Sequence, residues 1–138
     1  MPLTNYADTA LIDLLFGAVA YTTPVTLYAA LSTTTPTQAG ATFTEPSGLG
    51  YARVAVTNNT TNFVAAATQP ATGHEVENGT AITFPAATGS WGTITYVGFY
   101  DAATAGNLLT FAALTTAQTV ASGDTLSFAI DAITITLN

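Results

Sequence analysis

WGTITYVGFYDAATAGNLL, residues 91–109, is the stretch on which the fold turns. It reads as a strand over residues 93–100, a turn over residues 101–106, and a second strand over residues 107–114. Thr93, Thr95, Val97 and Phe99 alternate with Ile94, Tyr96, Gly98 and Tyr100. Both faces carry bulk, so the first strand is expected at the centre of a sheet, covered on both sides. Asp101 and Asn107 flank the turn, where short polar side chains bond to nearby backbone. Trp91, the single tryptophan, and Tyr96 read as core or subunit-contact groups.

Outward from this hairpin, further short strands are expected. Residues 25–32 alternate Val25, Leu27, Ala29 and Leu31 against Thr26, Tyr28, Ala30 and Ser32, a half-buried pattern. Residues 51–57 set Tyr51, Arg53, Ala55 and Thr57 against Ala52, Val54 and Val56. Residues 62–67 and 80–84 are shorter, the latter stopped by Pro85. Toward the end, Leu126, Phe128 and Ile130 alternate inward over residues 125–130, and Ile133, Ile135 and Leu137 over residues 133–137. Asp131-Ala132 keeps the two sets in phase through a turn or bulge. About eight short strands separated by turn signals predict an all-β fold, a β-sandwich or jelly roll. A chain of 138 residues suits one domain, residues 1–138.

One helix is expected, over residues 5–16. Thr4 or Asn5 can cap it, and Asp8 lies near its positive end. Ala7, Leu11, Leu14, Leu15 and Ala18 recur at helical spacing, and Gly17 can stop it. So short a helix cannot bury its stripe alone. It must lie on its own sheet or on a neighbour. Ala18-Val19-Ala20 has the small-x-small look of a cleavage site, but a basic leading region is missing and Asp8 and Asp13 interrupt the apolar run, so it is not read as a leader. No run of about 20 apolar residues could span a membrane.

Two long loops remain, residues 33–50 and 68–79. The first is rich in Thr, Pro and Gly, and is expected to be too polar for the core and to reach over an adjacent subunit. The second holds His74, Glu75 and Glu77.

Charge is the compositional anomaly. Only 7% of residues are charged, against about 25% in an ordinary soluble domain. Lysine is absent, Arg53 is the one basic residue, and the formal net charge is −7. A free monomer normally covers itself with mixed charges, so much of this surface is expected to face other protein. Nucleic acid and anionic membrane surfaces are excluded as partners for want of clustered Lys and Arg. The absence of cysteine removes disulfides, Cys-ligated zinc and a thiol nucleophile.

Nothing in the chain assembles a reaction. His74, the single histidine, has Glu75 beside it, but no G-x-S-x-G nucleophile motif accompanies them. Glu75 and Glu77 share a side if extended, yet no aromatic-lined cleft for a sugar is evident. Glu75, Glu77 and Asn78 could offer oxygens to calcium, without the D-x-D-x-D-G loop that would hold it. The expectation is no enzyme, no cofactor and no metal site. Asn58, Asn59 and Asn78 match glycosylation acceptors, as chance allows in a Thr- and Asn-rich chain. The residues singled out as candidate subunit contacts are Arg53, Tyr51, His74, Glu75, Glu77, Thr42, Phe43 and Glu45. For Arg53 two readings stand: an intrachain pair with a nearby acid, or a contact to an acid of a neighbour.

Five segments in order carry a resemblance: Leu49-Gly50-Tyr51-Ala52-Arg53-Val54; Ile82-Thr83-Phe84-Pro85-Ala86-Ala87; Trp91-Gly92-Thr93-Ile94-Thr95; Gly98-Phe99-Tyr100-Asp101-Ala102-Ala103 with Gly106-Asn107-Leu108-Leu109; and Val120 with Gly123-Asp124-Thr125-Leu126. The N-terminal helix followed by Thr26-Leu27-Tyr28 and Leu31-Ser32 fits too. Together they resemble a family of small tailed-bacteriophage virion proteins, labelled tail-fibre protein or capsid decoration (cement) protein. The resemblance implies a virion location. It also implies a homo-oligomer, a trimer in the decoration reading, bound to the outer face of the major capsid protein lattice. A tail-fibre or tail-tip part touching the host surface is the alternative. A carbohydrate-binding β-sandwich module is the third reading.

Overall fold

The computed structural model describes residues 1–66 and 74–137. In chain order the elements are α1 (Asn5–Phe16), β1 (Thr26–Ser32), β2 (Val54–Thr57), β3 (Phe63–Ala65), β4 (His74–Asn78), β5 (Ile82–Thr83), β6 (Gly92–Tyr100), β7 (Leu108–Val120), β8 (Ser127–Phe128) and β9 (Thr134–Leu137). The fold is all-β with one short N-terminal helix. Every strand pairing among the described residues is antiparallel.

The largest sheet runs β2-β1-β6-β7, and two smaller ones run β3-β4-β9 and β5-β8. The β6–β7 hairpin is thus the spine of the main sheet. One face of that sheet packs Ala29, Leu31, Val56, Ile94, Val97 and Phe99, with Trp91 just ahead of β6, against Ile82, Phe84, Leu126 and Ile133. Phe63 of β3 meets Phe99 edge to face at 5.6 Å. The other face carries a smaller cluster of Ala30, Tyr100, Leu108 and Phe111, covered by Tyr28, Phe43 and Tyr96. β6 is therefore covered on both sides, as its bulky pattern predicts. Its alternation is not strict, because Ile94 joins the same cluster as Val97 and Phe99. Pairing with β7 slips between Ile94 and Tyr96, where two steps on β6 face five on β7, and such a bulge re-aims side chains.

Several expectations need correction. β1 is not half-buried throughout: Ala29, Ala30, Leu31 and Ser32 are all buried, because β1 lies inside the sheet with both faces covered. β2 begins at Val54, after Tyr51 and Arg53, whose side chains tie down a loop. Residues 68–79 are a loop only in part, since His74–Asn78 forms β4 between β3 and β9. Its sequence, HEVEN, has one apolar residue, so main-chain pairing decides its state. Residues 67–73, including the end of the strand expected over 62–67, lie outside the described residues. Near the C-terminus Leu126 and Ile133 are buried, but Ile130 and Leu137 are exposed. Asp131 adopts φ +62°, a turn that carries Ile130 outward.

Buried Asn78 stitches the second layer together. Its Oδ1 accepts from Ile133 N at 2.7 Å, and its Nδ2 donates to Ala129 O at 2.7 Å and Thr80 O at 3.0 Å. A side chain so committed is no glycan acceptor in the folded chain. The N-terminal residues bridge the layers. The Met1 amine donates to Thr134 O at 3.1 Å, while Leu3 pairs with Thr110. Burial lowers the pKa of that amine, and the Glu75 charge opposes the shift. No helix among the described residues is long and apolar enough to cross a membrane.

Candidate functional site

Five of the eight candidate contact residues come together in one knot. The loop of residues 33–50 folds back on the main sheet. Thr33 N donates to Thr44 O at 3.0 Å, and Thr44 N donates to Ser32 Oγ at 3.0 Å. Thr42, at φ +63°, donates through Oγ1 to Thr35 O at 2.7 Å and accepts at its carbonyl from Thr34 Oγ1. Threonine hydroxyls thus satisfy backbone groups that a loop would otherwise turn to water. Phe43 can then pack edge-on against Tyr100 at 5.5 Å. Gly98 makes room for it, since a Cβ there would lie 2.8 Å from the Phe43 ring and 2.8 Å from Leu108.

Arg53 closes the knot. Its Nη2 meets Glu45 Oε1 at 2.6 Å, and its Nε lies 3.1 Å from both carboxylate oxygens. Its Nη1 donates to Ala102 O at 2.7 Å and Ala105 O at 2.8 Å. The guanidinium carbon sits 3.5 Å over the centre of the Tyr100 ring. Tyr51 Oη donates to Glu45 Oε2 at 2.7 Å and accepts from Leu31 N at 3.0 Å. One cation therefore joins the loop, the strand β6 and the β6–β7 turn. The Arg53 side chain is 7% exposed and that of Glu45 is 23% exposed. Burial raises the Tyr51 phenol well above its ordinary range, the Leu31 amide opposes this, and the Glu45 carboxylate adds to it. Burial also raises Tyr100, with Arg53 opposing and Glu45 adding.

Of the two readings of Arg53, the intrachain pair is the one present. The loop expected to be too polar for the core stays largely exposed, with only Pro36 and Pro46 buried, yet it is fastened to its own chain. The β6–β7 turn closes as its residues suggest: Asn107 N donates to Asp101 Oδ1 at 2.7 Å, and Asn107 Nδ2 to Asp101 Oδ2 at 2.8 Å.

His74, Glu75 and Glu77 lie apart from the knot, on β4. His74 is exposed and the two glutamates are half-buried. Thr136 Oγ1 donates to Glu75 Oε1 at 3.3 Å. Among the described residues no group of three or more His, Asp and Glu could hold a metal ion.

The third region is α1. Thr4 caps it, accepting from Ala7 N at 3.4 Å, and anchors it by donating to Leu108 O at 2.5 Å. Thr4 N donates to Leu109 O at 2.8 Å and Asn5 N to Gln38 O at 2.9 Å. Beyond this first turn the hold is slight, and no residue of the helix is buried. Ile12, Leu14, Leu15 and Phe16 are 58%, 48%, 63% and 85% exposed.

The family described as Podophage GP4 fiber I protein gp80 matches residues 2–136. The chain belongs to this family. It is thereby a fibre-related structural protein of the phage virion. Among curated proteins no match is found. The match runs from residue 2 through α1 and the Arg53 knot into the final strand. Sequence reasoning did not find Tyr100, nor the Ala102 and Ala105 carbonyls that Arg53 holds. Gly106 marked a turn in the sequence, but nothing local showed that the turn's carbonyls converge; in the structure Ala105 and Gly106 both stand at positive φ. Trp91, 4% exposed, points inward and donates through Nε1 to Leu49 O at 2.8 Å, so it offers no platform for a sugar.

Proposed function

We propose that this protein works as a structural subunit of the phage tail, in or beside a fibre, and that its work is binding to other virion proteins. One observation carries the reading. The chain's single Lys or Arg is folded inward on Glu45, so the outer surface offers neutral, apolar and acidic groups with no basic side chain other than His74. Such a surface lacks the mixed-charge coat of a free monomer and suits burial in a multi-subunit assembly. The family's fibre designation supports the tail location.

A second reading is capsid decoration: a homo-oligomer, in its simplest form a trimer, on the outer face of the major capsid protein lattice. The small neutral domain favours it, because many weak uncharged contacts add up over a closed symmetric lattice. Copy number separates the two. Quantitative mass spectrometry of purified virions, with immunogold labelling, is expected to find a small number of copies at the tail. Hundreds of copies spread over the head would replace the fibre reading with decoration. Absence from particles would end both.

A further inference from the structure

The outward side of α1 has no role within the chain. Ile12, Leu15 and Phe16 stand three and four residues apart, so they form one stripe on the helix surface. They are 58%, 63% and 85% exposed. Scattered single apolar residues on a surface need no explanation, but a contiguous stripe marks a contact. Val19, 56% exposed, extends the patch past the helix end. Beside it a depression of about 220 Å³ opens between α1 and the chain that follows, lined by Tyr6, Ala10, Asp13, Val19 and Tyr21.

The charge at the patch selects the partner. Asp8 is exposed and stands one turn before Ile12 on the same stripe, and Asp13 borders the depression. The chain offers them no counter-charge, because its one Lys or Arg is spent on Glu45. A second copy would bring Asp8 and Asp13 toward their own kind, with −7 on each chain. An anionic bilayer would repel them too, and surface-seeking helices carry Lys and Arg where this one carries Asp. We infer that the Ile12–Leu15–Phe16 stripe of α1 seats in an apolar groove of another virion protein whose rim carries Lys or Arg. The mode is a helix laid in a groove, with the rim charges setting orientation and encounter rate. The inference rests on the reading of the protein as a virion subunit.

The test uses phage particles made without this subunit, to which the purified full chain is added back and pelleted. Wild type is expected to pellet with the particles, more strongly at low salt than at high. The double variant Ile12→Ser/Phe16→Ser should bind about tenfold less or weaker, as loss of central apolar anchors does. Asp8→Asn should bind a few-fold less at low salt and show a weaker salt dependence. Circular dichroism and thermal unfolding check that the variants fold, as substitutions at exposed positions should allow. Equal binding by the double variant, with wild type still pelleting, overturns the inference and leaves the virion reading standing. The same holds if wild type binds phosphatidylcholine–phosphatidylglycerol vesicles as well as it binds particles. It also holds if the double variant abolishes a wild-type oligomer seen by sedimentation yet still enters particles, since a second copy would then be the occupant. Wild type that is missing from native virions overturns the virion reading itself, and the inference with it.

Discussion

The loop of residues 33–50 and the helix α1 both lie largely at the surface but are held to the sheet very differently. The loop is polar, long and rich in Thr and Gly, yet it is fastened to the sheet by Arg53, Tyr51 and a set of threonine hydroxyls. The helix carries leucines, an isoleucine and a phenylalanine, yet buries none of them. The difference teaches that, in a chain with so few charged residues, how firmly a segment is held is set by its hydrogen bonds and not by how apolar it is. Hydroxyls that satisfy their own backbone fasten a loop whose threonines stay largely exposed, and a helix anchored at one end can leave its apolar side chains outside.

The comparison breaks first at Arg53. Arg53→Ala leaves Glu45 half-buried without its cation and releases two turn carbonyls, so we expect a loss of about 3–5 kcal/mol of stability in chemical denaturation. A loss under about 1 kcal/mol would mean the knot is ornamental. Gly98→Val comes next. Its side chain would collide with Phe43 and Leu108, and overpacking of this kind costs about 1–3 kcal/mol by the same measurement. A neutral effect would mean that the loop lifts off without cost.

The knot should also show in alkaline solution. Burial raises the pKa of both Tyr51 and Tyr100 above their ordinary value of 10.0. The folded chain keeps those protons to higher pH than the unfolded chain does. The stability this represents is fully present below about pH 10 and is lost as pH rises above it. Unfolding free energy measured from pH 8 upward should therefore stay level and then fall, and Tyr51→Phe should flatten the fall. The smallest effect is expected at α1. Ile12→Ser and Phe16→Ser should each change stability by no more than about 0.5 kcal/mol, since their side chains already face water. A large loss by thermal unfolding would place them in the core and undo the contrast.

How much of this was legible varies along the chain. The β6–β7 hairpin could be read because its alternation and its Asp101–Asn107 turn are local signals. The span of α1 could be read from Thr4 and Gly17, which cap it. Which side of α1 stays exposed could not, because spacing reports that a stripe exists and not what covers it. β4 was missed because HEVEN carries one apolar residue and owes its state to the strands on either side. A pairing of Arg53 with a nearby acid was legible, since Arg53 is the chain's only Lys or Arg; that the acid is Glu45 was not. The contacts of Arg53 with Tyr100 and with the Ala102 and Ala105 carbonyls, 49 and 52 positions away, depend on the fold bringing distant residues together, which no local pattern encodes.

Hydrogen exchange on the free protein and on the protein assembled in virions tests the central claim most directly. The loop of residues 33–50 should be protected already in the free protein and change little on assembly. The last turns of α1 should exchange readily when free, because only the first turn is anchored, and gain protection in the virion. A loop that exchanges freely in solution and becomes protected only on assembly, with α1 unchanged, would contradict the account.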